Sequence, residues 1–287
     1  MSETAIAVSG FYYAYPHSEL MLQDINLTIE KGSVTAIAGP SGAGKTTLCR
    51  AMTGIVPYYY GGRYAGRVEV LGEDIKGKKI SDIAMRVGIM LDDYESQMVS
   101  LTAGEEISFS LLNHGFSPDE VDARVSEALD EVGLPGRENY QLDELSGGQR
   151  QRLLLASVLA TRPEILILDE PVSAMDPDGA RSLYSLVDRI HKQYGMTVVV
   201  VEHDLNYLLP YMTHLVLLAE GRAVVAGPYE EAARAAFEHP TLCRNLPELW
   251  QVKLGLEKKY DVRLGSWRSE AEAIEELQQK FKGGDRA

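Results

Sequence analysis

Apolar and polar positions change period several times along the chain, and each change marks an element. The segment LQDINLTIEKG (22–32) alternates apolar and polar residues before a Lys-Gly turn, which predicts a strand with one buried face. VTAIA (34–38) is a continuous apolar run and predicts a strand buried on both faces; residues 1–38 read as strands throughout. Residues 45–54, KTTLCRAMTG, read as a helix closed by Gly54. The turn-rich YYYGGRYAGRVEVLGEDI follows, with a strand in RVEVLG. From 103 to 162 the spacing is mostly helical: Pro118-Asp119-Glu120 makes a helix start, and VDARVSEALDEVG carries apolar residues at helical intervals. EILILDEP and MTVVVVEHD predict two further buried strands around a helix near 178–194, and LVLLAEG with AVVAG predicts a closing hairpin. Strands alternating with helices predict a parallel sheet wrapped by helices, with 103–162 inserted as a helical subdomain. Beyond about residue 238 the pattern breaks into short segments, until EAEAIEELQQKF places Ile274, Leu277 and Phe281 on one helix face. There is no internal repeat and no low-complexity tract.

Composition narrows the function classes. The 287 residues carry a formal net charge of -14, which argues against a nucleic-acid binder, since that needs a basic face to displace counterions. It argues equally against direct docking on anionic lipid. Cys49 and Cys243 lie far apart with no CxxC spacing, so a zinc site or disulfide scaffold is not expected and a reducing compartment is. MSETAIAVSG has neither the basic start nor the apolar block of a signal peptide. Apolar runs such as VTAIA and MTVVVV are too short to span a bilayer, so work at a membrane would require a partner to hold the chain there.

Three motifs carry chemistry. Gly39-Pro40-Ser41-Gly42-Ala43-Gly44-Lys45-Thr46 fits G-x-x-x-x-G-K-[ST], after a strand and opening a helix. Its glycines let backbone N–H groups converge on phosphate oxygens at the positive end of the helix. Lys45 is placed to reach the outer phosphates and the Thr46 hydroxyl to ligate Mg²⁺. ILILDEP (165–171) sets Asp169 and Glu170 at the carboxyl end of a buried strand, where ligands sit in α/β sheets. Asp169 is then positioned to hold Mg²⁺ through water and Glu170 to polarise an attacking water; alone, the two could equally be helix-capping acids. Leu145-Ser146-Gly147-Gly148-Gln149 is a second phosphate cradle, or else an ordinary N-cap with a flexible turn. A fourth stretch, Met90 to Gln97 (MLDDYESQ), packs three carboxylates into four residues at a strand end. By itself it could be a metal site, a catalytic pair, a docking surface or a solvated loop.

The order GPSGAGKTT, LSGGQ, ILILDEP, then Ser173-Ala174-Met175-Asp176, then His203 after VVVVE, resembles the ATP-binding-cassette ATPases over roughly residues 5–230. The resemblance implies an α/β P-loop ATPase with a RecA-like parallel-sheet core, an N-terminal antiparallel β region and a helical signature subdomain. Its boundaries would be 1–238 for the nucleotide-binding domain, about 95–162 for the helical part, and 239–287 for a C-terminal dimerisation or regulatory extension. It implies two cassettes closed head to tail, each ATP held between Gly39–Thr47 of one chain and Ser146–Gln149 of the other. By the same resemblance His203 is the switch histidine at the γ-phosphate, Tyr15 of FYYAYP stacks on adenine, and Asp176 links the two cassettes.

SQMVSLTAGEEISFSLLNHGFSPDEVDARVSEALDEVGL, the preceding IVPYYYGGRYAGRVEVLGEDI and the late LPELW resemble, more finely, the ATPases of energy-coupling-factor importers of vitamins and transition metals. That implies a second, more often non-identical ATPase, an integral membrane coupling subunit, a separate substrate-binding membrane subunit, and a peripheral place on the cytoplasmic face of the cell membrane. In the family the residue after VGIxx is a glutamine that touches Mg²⁺ and the attacking water; here it is Asp92, which can still bind Mg²⁺ but cannot donate a hydrogen bond to water when ionised. Gln97 matches a second glutamine of the energy-coupling-factor group. Asp93 and Glu95 would suit the arginines of a coupling helix. A soluble cassette protein acting in DNA repair or on the ribosome is the rival. It would show a basic surface, a coiled-coil insertion, zinc cysteines or two cassettes, and none is visible. A P-loop kinase of small molecules is a second rival, in which LSGGQ has no role. The cargo is not legible.

Overall fold

The computed structural model describes residues 3–281, the Phe281 side chain excepted; the closing segment KGGDRA lies outside them. The chain opens with β1 (Thr4–Ala14), β2 (Leu22–Glu30), β3 (Val34–Ala38), α1 (Lys45–Met52), α2 (Ile55–Tyr58), β4 (Arg63–Val70), β5 (Glu73–Asp74), α3 (Ile80–Ala84) and β6 (Val87–Met90). The helical block follows as α4 (Tyr94–Gln97), α5 (Ala103–Asn113), α6 (Pro118–Glu131) and α7 (Gly147–Leu159). Then come β7 (Ile165–Asp169), α8 (Pro177–Tyr194), β8 (Thr197–Val201), β9 (His214–Ala219), β10 (Arg222–Pro228), α9 (Tyr229–Phe237), α10 (Glu248–Tyr260) and α11 (Glu270–Phe281).

Two sheets result. β2-β1-β4-β5 is antiparallel. β10-β9-β3-β8-β7-β6 is parallel except for the hairpin strand β10. Alternation explains why the central strands read as unbroken apolar runs. Val34, Ala36, Leu166, Leu168, Val198 and Val200 point into one core, filled by the helical block, α8, α9 and α10. Ile37, Ile165, Ile167, Val199 and Val201 point into the other, shared with α1 and the antiparallel sheet. A strand covered on both faces has no polar side to show. The carboxyl ends of β3, β8, β7 and β6 then lie side by side, and the loops that carry Gly39–Thr47, His203, Glu170 and Asp92 leave from that edge.

Local boundaries depart from expectation in three places. α1 ends at Met52, and Gly54, at φ 73°, begins a second short helical turn instead of closing the first. The region after 238 holds a 13-residue helix, α10, where short segments were expected. Its buried positions include Lys253 and Glu257 beside Trp250 and Leu254, so charged letters disguise an inward face. In α11 Ile274 is 55% exposed, while Ala273 and Leu277 pack against Leu264 and Trp267. The α6 start is as read: Pro118 is the first helical residue and Ser117 forms a capping box with Glu120.

The C-terminal segment is fastened to the preceding body by polar contacts. Arg268 Nη1 donates to Met212 O at 2.7 Å across that boundary, and Trp250 Nε1 donates to Trp267 O at 2.7 Å within the segment. Buried Lys253 donates to Glu257 at 2.9 Å, while Arg234 of α9 grips the same carboxylate with both nitrogens.

Candidate nucleotide site

The loop between β3 and α1 is shaped by what surrounds it. Gly39 has φ 149°, and a Cβ there would meet Leu218 O of β9 at 2.1 Å, so the neighbouring strand admits only glycine. At Gly44, φ 99°, a Cβ would stand 2.8 Å from Leu22 Cδ2. Lys45 is buried and folds back onto its own loop, donating to Gly39 O at 3.0 Å and Pro40 O at 3.3 Å. Burial lowers its pKa, and the carboxylates of Glu170 and Asp169 oppose that. A crevice of about 280 Å³ lies over the loop, walled by Ser41, Gly42, Gly44–Thr47, Glu170 and His203. Pro40 and Ala43 are part of the loop but not of this wall.

Asp169, at the end of β7, is fully buried. Neither of its carboxylate oxygens has a hydrogen-bond partner; the Thr46 side chain lies beside it without completing one. Burial pushes its pKa up to about 6, and the negative charges of Asp92 and Glu170 add to this against the Thr46 hydroxyl. Glu170 adopts φ 52°, a left-handed conformation uncommon outside glycine and concentrated at functional sites. Its Oε1 lies 2.9 Å from His203 Nε2, so residues from two adjacent strand ends meet at the crevice. Asp92, after β6, is exposed and close enough to Asp169 and Arg50 to affect both electrostatically. Among the described residues, no three His, Cys, Asp or Glu side chains converge as a metal-binding set.

The other predicted residues sit apart from this crevice. Ser146 caps α7: its Oγ accepts from Gln149 N at 3.3 Å, and Gln149 Oε1 accepts from Ser146 N at 3.0 Å. Gly147 and Gly148 open that helix, which faces Tyr94 and Met175 rather than Lys45. Asp176 caps α8 by accepting from Gly179 N at 2.7 Å. Tyr15 is half-buried; its hydroxyl lies 3.3 Å from Thr47 Oγ1 and accepts from Arg50 Nη1 at 3.3 Å.

The acidic stretch makes local contacts. Asp93 caps α4, accepting from Ser96 N at 3.3 Å. Glu95 pairs with Arg150 of α7 at 2.9 Å. Gln97 Oε1 accepts from Leu91 N at 2.7 Å, bracing the end of β6.

Two participants escaped the sequence reading. Arg50, five residues beyond Lys45 in α1, lies over the Tyr60 ring at 5.2 Å and bonds Tyr15. Glu202, immediately before His203, is buried against Tyr184. A glutamate ending the run VVVVE was the available signal, since a carboxylate at a buried strand end needs a partner.

A family model described as ABC transporter matches residues 22–173, more than half of the 287. A protein of Pyrococcus horikoshii with the provisional name of ABC transporter ATP-binding protein is 35% identical over 255 residues, 88% of this chain and 89% of its own. A similarly named Methanosarcina acetivorans protein is 38% identical over 224 residues, 77% of this chain, but the match spans only 36% of its length. Among solved structures, cbiO1 of Clostridium perfringens, part of the ABC transporter complex cbiONQ, superposes with TM-score 0.73 at 27% identity, covering 90% of this chain and 96% of that one. The ATP-binding cassette MJ0796, solved as a post-hydrolysis dimer with ADP and Pi, superposes with TM-score 0.68 at 24% identity, covering 78% of this chain and 98% of that one; it speaks for the fold. With its phosphate loop, paired acids and histidine on one sheet edge, this chain belongs to the ABC transporter ATP-binding proteins, a family of ATPases.

Proposed function

We propose that the chain is the ATP-hydrolysing motor of an importer of the energy-coupling-factor type. One observation carries the reading. Lys45, Glu170 and His203 wall one crevice, while Ser146–Gln149 lies outside it, so a nucleotide there lacks a second cradle until another cassette supplies it. Gly39–Thr47 holds the phosphates, with Lys45 turning from its own carbonyls to the outer phosphate oxygens. Tyr15, behind Thr47, serves the adenine side.

A divalent cation suits the oxygen donors present. Asp169 is a buried carboxylate lacking a protein donor, and Thr46 offers a hydroxyl beside it. Mg²⁺ takes one or two such ligands and fills its remaining positions with phosphate oxygens and water, so it does not need the three-acid cluster that is absent among the described residues. Bound there, it would neutralise charge developing on the phosphates. Asp92 stands at the rim as a further acid. Glu170 polarises the attacking water, and His203, now on Glu170, moves to the γ-phosphate when ATP enters.

The likeness to cbiO1, part of an ABC transporter complex, supports work within an assembly; in it a second ATPase would close head to tail through Asp176, a membrane coupling subunit would sit near residues 92–97, and a further membrane subunit would bind substrate. No described helix is long and apolar enough to cross a membrane, so the cytoplasmic membrane face would be reached through those subunits. The segment after 238 would serve dimerisation or regulation. Cargo would be a vitamin or transition-metal ion.

The test is Glu170→Gln. ATP binding should persist, turnover should fall ~10²–10⁴-fold, and a closed ATP-bound dimer should accumulate on size exclusion. Unchanged turnover in a dimer whose partner site is disabled rejects the assignment.

A further inference from the structure

Tyr184 and Glu202 form a buried pair that none of the motifs contains. Tyr184 is 1% exposed and Glu202 6% exposed, and the tyrosine hydroxyl donates to Glu202 Oε1 at 2.5 Å. The second oxygen, Oε2, accepts from the His203 backbone N–H at 3.3 Å. The Glu202 N–H donates to Ile37 O, two residues before the phosphate loop. One residue therefore touches α8, the histidine peptide and β3. α8 is capped by Asp176, eight residues before Tyr184, which is about 12 Å along a straight helix.

We infer that Tyr184 and Glu202 are positioning residues that fix the His203 peptide against the helix carrying Asp176. The inference rests on the proposed role of His203 and adds to it the means by which the histidine is held. The hydroxyl and the amide both donate, so the site is built for an ionised carboxylate that accepts on each oxygen. A proton on Oε2 would stand against the His203 N–H and release that peptide. Burial pushes Glu202 up to about 7; the Tyr184 and His203 donors hold it down, and the nearby charges of Glu170 and Asp204 push it further up. The hold on His203 is therefore expected to loosen as pH falls through neutrality.

The experiment compares pH profiles of ATP turnover by the full chain, at temperatures where each variant is folded by circular dichroism. Tyr184→Phe removes one oxygen and keeps the ring. Its kcat should fall about tenfold with KM for ATP little changed, as for a lost hydrogen bond to a charged group. The acid limb of its profile should move to higher pH, because a donor holding the carboxylate ionised is gone. Glu202→Gln should lose that limb, since the amide does not titrate. Purely structural damage would lower the melting temperature and leave the limb in place. A folded Tyr184→Phe chain with the wild-type profile overturns the inference; if that variant fails to fold, a Glu202→Gln chain that keeps the wild-type limb overturns it. His203→Ala is the control: wild-type turnover in that variant rejects the histidine's role itself, whereas lost turnover with an unaltered Tyr184→Phe profile rejects only the pair.

Discussion

Glu95 and Arg150 lie 55 residues apart in sequence and meet at 2.9 Å, tying the acidic loop after β6 to the helix that opens with Ser146. Tyr94 reinforces the seam, since a Cβ on Gly147 would lie 3.4 Å from its hydroxyl. The loop and the N-terminus of α7 are therefore in direct contact. Both side chains are substantially exposed, so the pair contributes only ~0–1 kcal/mol to stability. Glu95→Lys should leave the melting temperature nearly unchanged and lower ATP turnover in the assembled complex. Adding Arg150→Glu should restore part of it. Equal turnover in all three chains would show the contact to be incidental.

Asp169 makes an opposite prediction with and without nucleotide. Burial raises its pKa from an ordinary 3.8 to about 6, so the folded chain binds the proton more tightly than the unfolded one. That acid's contribution is most favourable below the unfolded value and is lost as pH rises through about 6. Asp169→Asn removes the buried charge. Without ligand it should melt at or above wild type at alkaline pH, and the difference should vanish in acid. With Mg²⁺ and ATP at about 100 times Kd, wild type should gain about 2.7 kcal/mol and the variant much less. A variant stabilised as strongly as wild type would remove Asp169 from the cation site.

Asp92 repels Asp169, and on the proposed reading it stands where the family carries a glutamine. Asp92→Gln should raise ATP hydrolysis in the assembled complex, because an amide can donate to water where an ionised aspartate cannot, and assembly should be unaffected. Unaltered hydrolysis would mean that aspartate serves as well, or that it stands outside the site.

The C-terminal segment has its own lock. Burial works against the Glu257 charge, but Arg234, the Leu264 amide and Lys253 together hold its pKa down to about 2. A depressed acid contributes stability above its unfolded pKa and loses it as pH falls through the folded one, so this lock should hold at neutral pH and fail in strong acid. Glu257→Ala strands Lys253, which is fully buried, and should cost about 3–5 kcal/mol. Proteolysis should then cut first between 238 and 270; wild-type resistance would show that apolar packing around Trp250 suffices alone.

What the sequence by itself determined is what local pattern encodes. Strands buried on both faces are apolar at nearly every position, so VTAIA, ILILD and TVVVV announce the central sheet. A phosphate loop needs glycines at set intervals, so GPSGAGKT announces its site. The tertiary structure alone decided which charges are solvated and which are held. Glu95, Glu202 and Glu257 are three glutamates alike in sequence, yet one bridges two surface elements, one is pinned beneath His203 and one sits in a buried cluster. The reason is physical: a carboxylate's behaviour follows from its burial and from donors that reach it from distant segments, and hydrophobic periodicity records neither.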